Sequence, residues 1–154
     1  MPEKIKLTLA EKEALETRKE HIQNVDKPEV EAELTLARSQ GDLSENADYD
    51  AALEKNQTLQ NELNTIAYKL DNCIIPERDP NDPSVQFGDT VTFRSSLGKV
   101  MEYTIGGLTD LTQKKIDYKS LVAVALLGKN VNDTVLINAT RPYKATILKI
   151  VHNA

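Results

Sequence analysis

Residues 49–73 read YDAALEKNQTLQNELNTIAYKLDNC, and their spacing decides the architecture. Counted in sevens, one position gives Tyr49, Asn56, Leu63 and Leu70, and a second gives Ala52, Leu59, Ile66 and Cys73. This is the spacing of a helix that buries one stripe against another helix, with Glu, Lys, Gln and Asn left for its other faces. Such a seam needs a partner, and the upstream sequence supplies one. LTLAEKEALETRKEHIQNV (7–25) opens with Thr8 and Glu11 at capping-box spacing and carries Leu9, Leu15, Ile22 and Val25 as an apolar stripe. Asp26-Lys27-Pro28 reads as an interruption, with Pro28 suited to the first turn of a resumed helix that runs to a terminator at Gly41. Two such segments joined by a short turn form an antiparallel helical hairpin.

Beyond Cys73 the period changes. IIPERDPNDPS (74–84) carries three prolines and ends the helical pattern. DTVTFRS (89–95), VMEYTIGG (100–107), DTVLIN (133–138) and YKATILKIV (143–151) are rich in Val, Thr, Ile and Tyr, as strands are. One short helical piece, KSLVAVALLG (119–128), interrupts them. The fold class is therefore α+β in two domains. A coiled-coil hairpin with an acidic tip spans 1–75, a Pro-rich linker spans 76–83, and a small antiparallel β domain with a short helix spans 84–154.

Charge divides the chain in the same place. Residues 1–79 carry 10 Lys and Arg against 18 Asp and Glu, a balance of −8, while residues 80–154 carry 9 against 6, a balance of +3; together they make the net −5. An arm of that sign repels phosphate, which argues against autonomous nucleic-acid binding by the first half. The single cysteine, Cys73, excludes an intramolecular disulfide and a cysteine-based zinc site. His21 and His152 have no ligand spacing and read as surface residues. No window approaches the ~18–20 apolar residues of a membrane span, so no membrane partner and a cytoplasmic location are expected.

The turn of the hairpin is GDLSENADY (41–49), which packs Asp42, Glu45 and Asp48 into nine residues. Two readings stand. Asp42 is the N-cap of the second helix with Glu45 at its third position, or Ser44 caps instead. Alternatively, Asp42 and Glu45 sit a few ångströms apart on a protrusion and share a hard, oxygen-seeking cation such as Mg²⁺, weakly unless a partner adds ligands.

The run ARSQGDLSENADYDAA (Ala37–Ala52) closely resembles the tip signature of the Gre transcript-cleavage factors of GreA type. FGDTVTF (Phe87–Phe93), YTIGG (Tyr103–Gly107) and ALLGKNVNDTV (Ala125–Val135) resemble that family's C-terminal segments, so the resemblance covers essentially the whole chain. It implies a C-terminal domain like the FK506-binding-protein folds, docked at the rim of the secondary channel of bacterial RNA polymerase, with the coiled-coil tip inserted into that channel. Asp42 and Glu45 are then the catalytic and metal residues. They hold Mg²⁺ jointly with the polymerase, none being stably bound by the factor alone, for cleavage of backtracked RNA near its 3′ end. Ser44, Asn46 and Tyr49 are implied as tip support, and Arg38 and Lys55 as basic residues near the RNA; Leu53 stands where a basic residue is common. On this reading the protein is a monomeric activator of the polymerase rather than an enzyme. The alternatives are a channel-binding regulator without cleavage and a coiled-coil adapter or chaperone.

Overall fold

The computed structural model describes residues 4–41 and 46–153. The chain divides into a unit built from Lys12–Cys73 and a second built from Lys4–Glu11 with Ile74–Ala154.

The capping box forms as its spacing requires. Thr8 N–H donates to Glu11 Oε1 at 2.9 Å and Glu11 N–H donates to Thr8 Oγ1 at 3.1 Å. From this box runs α1 (Leu9–His21), followed without a break by a π-helical turn (Ile22–Asp26) and α2 (Lys27–Arg38). The expected interruption at Asp26-Lys27-Pro28 is thus a widened turn. Lys27 N–H reaches the Ile22 carbonyl five residues back, and Pro28 sits in the first turn of α2, where its missing N–H costs little. The extra residue also rotates the stripe. Val25 is turned outward, 39% exposed, while the Asp26 side chain is only 22% exposed. The buried positions that follow are Val30, Leu34 and Ala37. Leu9, expected on the stripe, is 51% exposed because the first turn of α1 lies in the other unit.

Helix α3 (Ala47–Asn72) is unbroken over 26 residues, about 39 Å at 1.5 Å per residue. None of its two heptad positions is exposed: Ala52 and Ile66 are buried, and Tyr49, Asn56, Leu59, Leu63 and Leu70 are half-buried, as is Cys73 just past its end. Polar pairs record the register against α1 and α2. Asn46 Nδ2 donates to the Ala37 carbonyl at 2.7 Å, and Lys27 Nζ to Asn56 Oδ1 at 2.7 Å. Arg18 grips Glu62 with two nitrogens at 2.8 and 3.0 Å and reaches Asp26 at 3.1 Å. Partner numbers fall on one side as they rise on the other, so the pair is antiparallel. Asn56, polar on an apolar seam, meets its polar neighbour across the hairpin.

Besides two two-residue strands, β1 (Ile5–Lys6) and β2 (Cys73–Ile74), there are β3 (Thr90–Ser95), β4 (Val100–Gly106), β5 (Lys115–Asp117), β6 (Thr134–Ile137) and β7 (Tyr143–Val151), which form the five-stranded sheet of the second unit in the order β5-β4-β3-β7-β6. All neighbours are antiparallel except β4 and β5, whose short parallel pairing the sequence pattern did not suggest. Three residues are too few to show a period. Val91 and Phe93 of β3, Ile105 of β4, Ile137 of β6 and Ile147 of β7 point to one face. There they meet Ala123 and Leu126 of α4 (Leu121–Leu126), which Ser120 caps and Gly128 follows at φ +80°.

Two buried carboxylates tie extra chain to this sheet. Asp89, fully buried, accepts from Gln86 N–H at 2.9 Å and is paired with Arg78 and, at 2.9 Å, with His152 Nδ1. Residues of the Pro-rich stretch and of the C-terminus are thereby bound to the start of β3, and His152 is more than a surface histidine. Glu11, 4% exposed, does the same for the N-terminal strap. Besides Thr8 N–H it accepts from Gly107 N–H at 2.9 Å and Leu108 N–H at 2.8 Å. Leu7 N–H donates to the Ile74 carbonyl at 3.0 Å alongside. The glycines are required by this approach, since a Cβ on Gly107 would lie 1.8 Å from the Lys6 carbonyl oxygen and one on Gly106 2.8 Å from Glu11 Oε1.

Glu11→Ala leaves three N–H donors without their charged acceptor and should destabilise the sheet unit by about 3–5 kcal/mol, read as a lower urea midpoint at unchanged slope. Glu62 gives a prediction of opposite character. Hydrogen bonds from Arg18 hold its carboxyl below the ordinary Glu value. A depressed folded pKa contributes stability at pH above the unfolded value, and that contribution is lost as pH falls through the folded pKa. Both side chains are about two-fifths exposed, at 42% and 38%, so screening limits the pair to less than about 1 kcal/mol. Melts of wild type and Glu62→Gln should differ at pH 7 and converge only once pH has fallen below the depressed folded pKa, which lies under the ordinary Glu value of about 4.3.

Candidate functional site

The candidate site is the turn between α2 and α3, and it is built from its flanks. Helix α2 ends at Arg38, with Ser39 N–H returning to the Thr35 and Leu36 carbonyls at 3.3 and 3.1 Å. Gly41 at φ +119° then adopts backbone that a side chain would strain, which turns the chain out of the helix. Asp42, Leu43, Ser44 and Glu45, the segment that holds the expected catalytic and metal residues, lie outside the described residues.

Description resumes at Asn46, and here the structure corrects the expected cap. Helix α3 begins at Ala47 and its N-cap is Asn46, whose Oδ1 accepts from Tyr49 N–H at 3.1 Å. Neither Asp42 nor Ser44 holds that position. Asp48 and Asp50 lie in the first turn of α3, where the exposed N–H groups favour negative charge. Of the three tip acids, helix α3 therefore accounts for Asp48. Asp42 and Glu45 fall in sequence between the two helices, outside the described residues.

The same Asn46 amide donates through Nδ2 to the Ala37 carbonyl, so one side chain joins the end of α2 to the start of α3. Beneath it, half-buried Tyr49 packs with Leu59 against buried Val30, Leu34 and Ala52. The Arg38 guanidinium lies 5.7 Å from the centre of the Tyr49 ring, a cation–π contact. Lys55 Nζ meets Glu33 at 3.2 Å across the hairpin. Both basic residues expected near RNA thus have a partner within the hairpin. Leu53, between them in sequence, is 41% exposed. Among the described residues no group of three or more His, Cys, Asp or Glu is placed to hold a metal ion, and no helix is long and apolar enough to cross a membrane.

Sequence reasoning missed the bridging role of Asn46. Its signal was present as an Asn followed three residues later by the first seam residue, but two acids and a serine upstream competed for the cap. It also missed Arg78, Asp89 and His152, which lie far apart in sequence and carry no local signature.

A helical hairpin with an acid-bearing turn, joined to a small α+β module, defines a class of two-module proteins in which one module presents a tip. The comparisons with known proteins give that class a family. Residues 5–75 match the model described as transcription elongation factor, N-terminal, and residues 80–152 the one described as transcription elongation factor, GreA/GreB, C-term. A transcription elongation factor GreA from Macrococcus caseolyticus is 42% identical over 124 residues, 79% of this chain and 78% of that one. One from Mycoplasmopsis pulmonis is 37% identical over 155 residues, 97% and 98% of the two chains. A solved structure titled as the GreA factor homolog Gfh1 of Thermus thermophilus aligns over 97% of this chain and 99% of that one, at 19% identity and a TM-score of 0.45. The chain belongs to the GreA/GreB family of transcription elongation factors.

Tyr49 packs into the hairpin seam one turn below the Asn46 cap. Tyr49→Ala should destabilise the hairpin by about 1–3 kcal/mol, a half-buried version of an aromatic truncation. Amide exchange should accelerate between Val30 and Ala37 and stay unchanged in the β3–β7 sheet.

Proposed function

We propose that this elongation factor inserts its hairpin tip into the secondary channel of bacterial RNA polymerase. There it stimulates the polymerase's own endonucleolytic cleavage of backtracked RNA. Asn46 as the cap of α3 carries this reading, because it leaves Asp42 and Glu45 without that structural duty. The GreA name shared by the Macrococcus and Mycoplasmopsis relatives supports the process, transcription elongation.

The donor set fits a hard cation. Two carboxylates offer oxygen ligands of the kind Mg²⁺ takes, and two alone hold it weakly, so on this reading the remaining ligands come from polymerase and RNA. Bound in that shared site, Mg²⁺ lowers the pKa of an attacking water for two-metal phosphodiester hydrolysis. The work of this chain is then to deliver Asp42 and Glu45, with their charge intact, to the RNA 3′ end. On this reading the factor is an activator and not itself a nuclease. It acts in the cytoplasm as a monomer, and the sheet unit, with its +3 balance over residues 80–154, docks on the channel rim.

The test is a stalled, 3′-labelled elongation complex with Mg²⁺. Asp42→Ala and Glu45→Ala should each abolish stimulated cleavage and leave polymerase binding intact. With Asn46 as the cap, neither should shift stability by more than about 0.5 kcal/mol, the usual range for an exposed substitution. Binding without cleavage by the wild type would instead identify a channel-binding regulator. Full cleavage by the folded double variant would remove the tip carboxylates from the mechanism.

A further inference from the structure

We infer that the sheet unit carries a binding cleft for a small organic anion, an apolar body that ends in one carboxylate. The cleft has a volume of about 310 Å³, near the lower end of the ~300–1,000 Å³ of small-molecule sites. Every residue that lines it belongs to the sheet unit, where the N-terminal strap, the Pro-rich stretch and the sheet meet. Its lining is largely apolar. Phe87 is held edge-on to Tyr118, with ring centroids 5.5 Å apart at 77°, and Pro76 is stiffened by its own ring. Leu9 and Ile75, at 51% and 41% exposed, leave aliphatic surface open to water that a bound apolar body would cover.

The charge of the cleft is one-sided. Arg78 and Lys115 line it, and among the described residues no Asp or Glu does, in a chain of net charge −5. The Arg78 guanidinium is already paired with buried Asp89. Lys115 is not so committed. It is half-buried, and among the described residues its ammonium makes no hydrogen bond or ion pair, its charge reaching Asp110 only through space. Thr104, its register partner on β4, also lines the cleft, but shares its hydroxyl with Thr90 at 2.7 Å. One uncommitted ammonium against an apolar wall selects a ligand with a single negative end. A cation is repelled, and a neutral body covers the ammonium without giving it an acceptor. A carboxylate takes the charge-assisted bond. A phosphate, with nearly two charges and three strong acceptor oxygens, asks for more donors than one lysine gives.

The experiment uses the full chain and decanoate below its micelle concentration. Decan-1-ol and decyltrimethylammonium serve as neutral and cationic bodies of the same length. Amide shifts by two-dimensional NMR locate each probe and give its affinity. Decanoate should shift residues 8–10, 75–78 and 87–88 and leave the amides of α2 and α3 in place. Decan-1-ol should reach the same residues about two- to fivefold more weakly, the range of one partly exposed ion pair, and the cationic probe more weakly still. Lys115→Met keeps the aliphatic stem without the charge and should lower decanoate to the affinity of decan-1-ol. Leu9→Glu puts a carboxylate into the lining at the first turn of α1, where the helix favours it, and should abolish decanoate binding. Equal affinity for the three probes, or a Lys115→Met protein that still prefers decanoate, overturns the assignment of an anion. Shifts scattered over both units, or none at the cleft residues, overturn the site itself.

Discussion

Register is the constraint on which the hairpin depends. An apolar seam of Leu, Ile and Ala makes two helices adhere, but slid by a turn it buries nearly the same area. Polar groups on the seam remove that freedom, because a misplaced one is left buried without a partner. Such pins among the described residues include Asn46 to the Ala37 carbonyl, Lys27 to Asn56, and Arg18 to Glu62. The π turn at Ile22–Asp26 belongs to the same logic. It brings Asp26 inward, to within 3.1 Å of the Arg18 guanidinium that also holds Glu62. A helix of uniform pitch with Pro28 in it would have had to break or kink there. The widened turn lets one continuous helix carry the stripe past the proline with its phase changed.

The sheet unit is organised by buried carboxylates. Glu11 and Asp89 are 4% and 0% exposed, and a charge so placed persists only if it is paired or hydrogen-bonded throughout. Each uses its acceptors to hold chain from outside the sheet. Glu11 holds the N-terminal strap to Gly107 and Leu108, and Asp89 holds Arg78 and His152. Residues 4–11 are therefore part of the sheet unit although 62 residues of hairpin separate them from the rest of it.

What was legible in the sequence follows from what is local. The heptads of α3, the capping box at Thr8 and Glu11, and four of the five strands are written in spacings of two to seven residues, and each stands where its spacing put it. The glycines at 41 and 128 ended helices as expected, both at positive φ. The parts that could not be read depend on distant partners or on competition between near equals. Strand β5 exists because β4 offers it an edge. The strap joins the sheet because Gly106 and Gly107 leave room for it, and nothing near Glu11 announces donors 96 and 97 residues away. Val25 was misplaced on the stripe because a π turn is invisible to a period of 3.6, while Leu15 and Ile22 face inward as expected. At the tip, Asp42, Ser44 and Asn46 are all good caps, and propensity alone does not choose among them. The choice falls to Asn46, whose amide accepts from Tyr49 N–H and also donates to the Ala37 carbonyl.

That choice bears on the electrostatics of the tip. An acid used as a cap has its charge partly neutralised by the N–H groups it accepts and by the helix dipole behind them. An acid flanked by unpaired Lys or Arg is neutralised in another way. In this hairpin Asn46, which is uncharged, takes the cap. Arg38 lies over the Tyr49 ring and Lys55 faces Glu33. These contacts direct the two nearby cations to other partners, within a segment whose balance over residues 1–79 is −8. A negative balance of that size disfavours polyanionic RNA. On the proposed function, attraction for RNA would come from a polymerase that already holds it. That division would be physically economical, since a surface basic enough to capture RNA by itself would weaken the field that, on the same proposal, makes two carboxylates useful to a metal ion.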